Sequence, residues 1–200
     1  MRKAAPNTGP LQQAPSQASV LMPGIDTSRD FIALNIAVLT VSDSRTPETD
    51  KSGDVLAERI AAAGHNLAAR SIVSDDIVLI RRLLKQWVAD SRIDVVISTG
   101  GTGLTGRDVT PEAFQSVYDK EIEGFAAVFH RISYDKIGTS TIQSRATAGV
   151  ADGTFLFALP GSPGACKDGW DEILVHQLDN RFRPCNFAEI MPRLTEHKPQ

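Results

Sequence analysis

Apolar positions along the chain follow two rhythms. Leu34–Val41, Val95–Ile97 and Thr154–Leu159 are short, nearly unbroken apolar runs. Such runs suit central parallel strands covered on both faces, because a strand buried on one face alternates instead. Asn66–Val73 predicts a further strand. Between these runs the period becomes helical. Val55, Leu56, Arg59, Ile60 and Ala63 form a stripe over Gly53–Ala63, with Ser52 as the expected cap and Gly64 as the stop. Ile80, Leu83, Leu84, Trp87 and Val88 form another over Ile77–Ala89, opened by Asp75 and Asp76 as capping carboxylates, with Trp87 read as packing. Helical patterns recur over Glu112–Asp119, Ile122–Ser133 and Ala165–Gln177, and Thr46–Lys51 reads as a mobile polar loop. Strands alternating with helices predict an α/β fold: a three-layer sandwich with a mostly parallel central sheet.

Domain organisation follows from where this patterning starts and stops. Residues 1–30 are rich in Pro, Gln, Ser and Ala and predict a flexible extension, with Val20-Leu21-Met22 a weak docking candidate. Residues 31–180 carry the periodic pattern, and 181–200 are polar with two prolines, which predicts a C-terminal extension partly laid on the body. A chain of 200 residues can bury a substantial core. Its net charge of -3 supplies no basic field for nucleic acid. No apolar run is long enough for a bilayer, and Met-Arg-Lys is not followed by the apolar stretch of a secretory signal. Cys166 and Cys185 lie apart without metal spacing, which fits a cytoplasmic protein. His130 has no partner pattern and reads as a surface histidine.

Candidate chemistry concentrates after the second apolar run. Gly100, Gly101, Thr102 and Gly103 follow Val95–Ile97 directly, and Thr110-Pro111-Glu112 predicts a helix start with Thr110 as cap. Strand, glycine loop and helix in that order let backbone N–H groups approach a phosphate. The spacing matches neither a Walker A loop nor Gly-x-Gly-x-x-Gly, so a tight βα turn is the plain alternative. Asp108 within the loop suggests a cation, because a carboxylate beside a phosphate is otherwise repelled; the alternative is an exposed loop carboxylate. Ser42 and Asp43 follow the first strand, where α/β sheets place ligands, although Asp43 equally suits a loop cap. Pro160-Gly161-Ser162-Pro163-Gly164 repeats the strand, glycine turn and helix order as a second possible anion site, or a plain turn capped by Ser162.

Thr99-Gly-Gly-Thr-Gly103 followed by Arg107-Asp-Val-Thr-Pro-Glu-Ala113 resembles the MogA/MoaB family of molybdenum cofactor biosynthesis proteins. The resemblance covers roughly residues 33 to 190, and Gly138–Arg145 and Arg183–Phe187 look more like the MoaB branch. It implies adenylylation of molybdopterin: ATP donates AMP to the ligand's terminal phosphate, and pyrophosphate leaves. It further implies Asp75 and Asp108 as catalytic and magnesium-holding residues, with Mg2+ accompanying ATP as co-substrate. Ser144 and Arg145 fall where the family lines its pterin-phosphate pocket, and Arg107 is placed to neutralise charge or to sit at the surface. The branch implies a homo-oligomer, a hexamer in preference to a trimer. The competing classes are a non-catalytic pterin carrier on the same fold, a nucleotide pyrophosphatase of the competence/damage-inducible type, and a dinucleotide oxidoreductase, which the glycine spacing disfavours.

Overall fold

The computed structural model describes residues 23–198. In chain order the elements are β1 (Gly24–Ile25), β2 (Asn35–Val41), α1 (Lys51–Ala62), β3 (Asn66–Val73), α2 (Ile77–Val88), β4 (Val95–Thr99), α3 (Thr110–Gln115), β5 (Lys120–Glu121), α4 (Glu123–Ile137), β6 (Thr147–Ala151), β7 (Thr154–Leu159), α5 (Pro163–Gly169), α6 (Val175–Gln177), β8 (Phe182–Arg183) and α7 (Phe187–Ile190). A 3-10 turn, Gly138–Gln143, follows α4, and a π turn, Trp170–Leu174, joins α5 to α6.

The predicted three-layer α/β architecture with a mostly parallel sheet is present. Six strands run in the order β3-β2-β4-β7-β6-β5. The pairs β2–β3, β2–β4 and β4–β7 are parallel, whereas β6 and β5 join antiparallel. Successive residues of the apolar runs serve opposite faces. Ile36, Val38, Phe155 and Phe157 pack with Leu56, Ile60, Phe129 and Trp170, while Ala37, Leu39, Leu156 and Ala158 pack with Ile80, Leu84, Trp87 and Phe114. Each fully buried Leu, Ile, Val or Phe contributes roughly 1.5–3 kcal/mol, so the covered sheet dominates stability.

Several expectations shift. The cap of α1 is Asp50, whose carboxylate accepts the Gly53 N–H at 2.9 Å, rather than Ser52. The segment expected as a mobile loop therefore ends in a carboxylate that is only 1% exposed. Thr110 lies inside α3, after Val109, and its hydroxyl donates to the Gly100 carbonyl at 2.9 Å. The helix expected over Glu112–Asp119 stops at Gln115, and α4 runs on to Ile137. His130 is half-buried and its Nε2 lies 3.0 Å from the Ser144 carbonyl. β6 had no counterpart in the apolar pattern. Residues 23–30, expected within the flexible extension, meet the C-terminal segment: β1 pairs with β8, and Arg29 donates to the Asn180 carbonyl at 2.8 Å. Val20-Leu21-Met22 lie outside the described residues.

Candidate functional site

β3 and β4 flank β2 on opposite sides, so the chain reverses direction across the sheet there. In open α/β sheets that switch point leaves a crevice at the carboxyl ends of the strands. A cleft of about 280 Å³ sits at this place, lined by Thr40 to Ser42 from β2, Thr99 to Gly101 from β4, and Ser44, Arg45, Asp50, Ser52, Asp75, Asp108 and Gly161. Its neighbour, a cavity of about 710 Å³, shares Ser42 and Arg45 and adds Asp43 and Arg70.

The glycine loop is built by close approach. Gly100 has a φ of +101°, and a Cβ there would collide with the Val41 carbonyl oxygen. Gly101 has a φ of +63°, and its Cβ would strike the Thr110 hydroxyl and come within 2.9 Å of Asp75 Oδ1. Only glycine fits both positions. The Gly100 N–H is spent on the Leu159 carbonyl at 3.1 Å. Among the described residues, the Gly101 and Thr102 amides have no protein acceptor, but Thr102 is buried and only Gly101 lines the cleft, so the open part of the cradle is narrower than the four-residue stretch expected from sequence.

Asp75 and Asp108, from separate turns, both line the cleft. Of the adjacent pair, Asp76 is the helix cap, accepting the Val78 and Leu79 N–H groups at 2.8 and 3.0 Å. Asp75 turns inward and accepts the Asp43 N–H at 3.0 Å. Burial and the neighbouring Asp43 carboxylate push the Asp75 carboxyl above its ordinary pKa, against the Asp43 N–H bond and Arg107. Asp108 moves the other way: the bond from the Thr105 hydroxyl, helped by backbone N–H groups, holds it below the usual range.

Other expected contacts do different work. Arg107 forks onto Asp43, with Nε and Nη2 at 3.0 and 2.8 Å from its carboxylate. Arg145 does not enter the cleft: it donates to the Gly103 carbonyl at 2.9 Å and the Asp108 carbonyl at 2.8 Å, and pairs with Glu112, clamping the loop from behind. Ser144 also lies behind the loop, its carbonyl facing His130 and its hydroxyl buried without a partner among the described residues. Thr102 is buried, and its carbonyl accepts the Arg145 N–H at 3.0 Å. Gly103 packs on Asp108.

The second glycine turn is not a separate anion site across the crevice. A Cβ on Gly161 would lie 3.1 Å from Gly100 Cα, so the two turns touch. Thr99 and Ser52 lock them together by donating to the Pro160 and Gly161 carbonyls at 3.0 and 2.8 Å. Ser162 caps α5 through the Ala165 N–H at 3.1 Å. Sequence reasoning missed Asp50, which accepts from Thr40 and Arg70 at 2.7 and 2.8 Å. Burial raises its carboxyl pKa, but the Arg70, Gly53 and Thr40 bonds outweigh that and hold it low. An Asp directly before the helical stripe was the available signal.

A switch-point cleft, a loop opened by left-handed glycines and two inward carboxylates define a class: α/β domains with a ligand-sized cleft at the sheet's carboxyl edge. Residues 37–180 match the family described as "Probable molybdopterin binding domain". The chain is 48% identical over 160 residues to molybdenum cofactor biosynthesis protein B of Escherichia coli K12, covering 80% of this chain and 94% of that one. It is 43% identical over 147 residues to the Bacillus subtilis protein of the same name, covering 73% and 86%. A crystal structure of a molybdenum cofactor biosynthesis protein B superposes with a TM-score of 0.76 at 36% identity, covering 84% of this chain and 99% of that one. The chain belongs to the MoaB/MogA family of molybdenum cofactor biosynthesis proteins.

Proposed function

We propose that the protein catalyses Mg-dependent adenylylation of molybdopterin by ATP. An oxygen of the ligand's terminal phosphate attacks the α-phosphorus of ATP; the new P–O bond forms as the bond to the β-phosphate oxygen breaks, and pyrophosphate leaves with that electron pair. The observation carrying this reading is the convergence of Asp75 and Asp108 on one cleft beside the open Gly101 amide. The small cleft has the scale of a phosphate chain, and the adjoining 710 Å³ cavity has room for a heterocycle.

In nucleotidyl transfer the protein positions groups and offsets charge. The Gly101 amide binds a phosphate oxygen, and Arg45 supplies a positive charge on the cleft wall. Among the described residues, no three His, Cys, Asp or Glu side chains converge as a metal cage. Two carboxylates fit a hard cation that arrives on the nucleotide and keeps its waters. Burial and, after it, the Asp43 carboxylate raise Asp75, and the Asp43 part is a repulsion that such a cation would relieve. Asp75 and Asp108 would hold Mg2+ carried in by the nucleotide, and that cation would offset the negative charge that the attacking oxygen meets. The ligand's own phosphate is the nucleophile, so no protein nucleophile is required.

The test mixes purified protein with molybdopterin, ATP and magnesium and follows adenylylated product. Product at a rate comparable to a MogA control supports the reading. Retained pterin with no ATP dependence identifies a carrier, and ATP hydrolysis without pterin identifies a pyrophosphatase. The assembly belongs to the same proposal: a hexamer, supported by exposed Tyr134, Ile137 and Ile142 around the C-terminal end of α4, which offer apolar surface to a neighbouring subunit.

A further inference from the structure

We propose that Asp43 is a positioning residue that sets the spacing of the two carboxylate-bearing turns. This rests on the adenylyl-transfer reading and deepens it. Asp43 and Asp75 hold each other reciprocally. The Asp43 N–H donates to Asp75 Oδ2 at 3.0 Å, and the Asp75 N–H donates to Asp43 Oδ1 at 3.2 Å. The same Asp43 carboxylate takes the Arg107 fork on both oxygens, Nε donating to Oδ2 and Nη2 to Oδ1. Arg107 directly precedes Asp108, so one side chain ties the turn of Asp75 to the turn of Asp108.

Bidentate guanidinium–carboxylate pairs fix orientation as well as distance. Both oxygens of Asp43 are engaged, and a free carboxylate facing a triphosphate would repel it, so the residue suits holding better than binding. Stability gives little reason for the pair. Its side chains are 63% and 46% exposed, and ion pairs in that position contribute little to the fold. Spacing is the remaining gain, because small misplacements of reacting groups carry large rate penalties.

The experiment compares Asp43→Ala, Asp43→Asn, Arg107→Ala and the double Asp43→Ala/Arg107→Ala variant with wild type. Asp43→Ala is expected to lower kcat by about tenfold or more while KM for ATP and the melting temperature stay near wild type. The double variant is expected to lose no more than about twofold beyond the weaker single, since both act through one contact. Asp43→Asn keeps an acceptor for the Asp75 amide and should recover part of the rate. A rise in KM alone, kcat within about twofold of wild type, or losses that multiply to about a hundredfold in the double overturn the assignment. Backbone hydrogen exchange gives a readout independent of turnover. Asp43→Ala should speed exchange at residues 107–108, and unchanged protection there refutes the tie even if wild type makes no product. Absence of product from wild type refutes the adenylyl-transfer reading separately.

Discussion

Replacing Gly101 by alanine tests whether the loop's geometry matters as closely as the structure demands. The backbone there has a φ of +63°, a region that costs a residue with a Cβ roughly 1–2 kcal/mol. The new methyl would overlap the Thr110 hydroxyl and sit 2.9 Å from Asp75 Oδ1, where ordinary contact begins at 3.4 Å. Thr110 is fully buried and its hydroxyl satisfies the Gly100 carbonyl, so moving it forfeits a hydrogen bond of about 1 kcal/mol. The combined cost is about 2–3 kcal/mol, which for a domain of this size lowers the melting temperature by roughly 5–10 °C. Relief on the other side shifts Asp75 by about half an ångström; since a misplacement of about 1 Å can cost a hundredfold, turnover should fall about tenfold or more. The assay is adenylyl transfer measured well below both melting points, with thermal unfolding alongside. A variant that melts lower yet turns over at the wild-type rate would show that Asp75 does not act where the cleft puts it. Gly100→Ala should be worse, because its methyl meets backbone oxygen that no rotamer can move.

Further outcomes are expected. Asp75→Asn and Asp108→Asn should each abolish turnover with the fold intact. Because the Asp75 pKa is raised in the fold, its ionised form weakens the native state above the ordinary carboxylate range, so Asp75→Asn should melt higher than wild type at pH 7 and equal to it near pH 3. Asp50→Ala removes the α1 cap and the acceptor of the Thr40 hydroxyl, while Arg70 keeps Asp54, and should cost about 2–3 kcal/mol in denaturant titrations. The low Asp50 pKa contributes stability that is present above about pH 4 and lost as pH falls through its folded value, so Asp50→Asn should flatten the acid limb of a stability–pH curve. Light scattering should return six times the 21.6 kDa chain mass, and a monomer refutes the hexamer.

What could be read from the chain was whatever is decided locally. The apolar runs Leu34–Val41, Val95–Ile97 and Thr154–Leu159 became β2, β4 and β7, because a sheet covered on both faces needs apolar residues at every position. The glycines between Thr99 and Asp108 marked the loop, since positive φ writes itself into composition. β6 stayed hidden for the converse reason. Thr147-Ala-Gly-Val-Ala151 is small because the Tyr118 ring lies against Gly149, a tertiary fact with no local trace. Only its turn was written plainly, as Asp152-Gly153, both at positive φ. The choice between Asp75 and Asp76 was equally closed to sequence, because two adjacent carboxylates differ only in which way the strand's last residues aim them.

Arg145 carries that distinction further. Its sequence position suggested a hand on the substrate, yet its guanidinium holds the Gly103 and Asp108 carbonyls and Glu112. A loop with unspent amides, positive φ and crowded carboxylates opposes the rules that stabilise the rest of the fold, so something behind it must keep it from relaxing. Arg145 does this from the rear, the Thr99–Pro160 and Ser52–Gly161 bonds from the side, and the Asp43–Arg107 fork from the front. If cleft geometry is what the protein preserves, substitutions in this support should depress turnover in proportion to how far they let Asp75 and Asp108 separate. Substitutions on the outer face of α2, such as at the exposed Val78, should leave it unchanged.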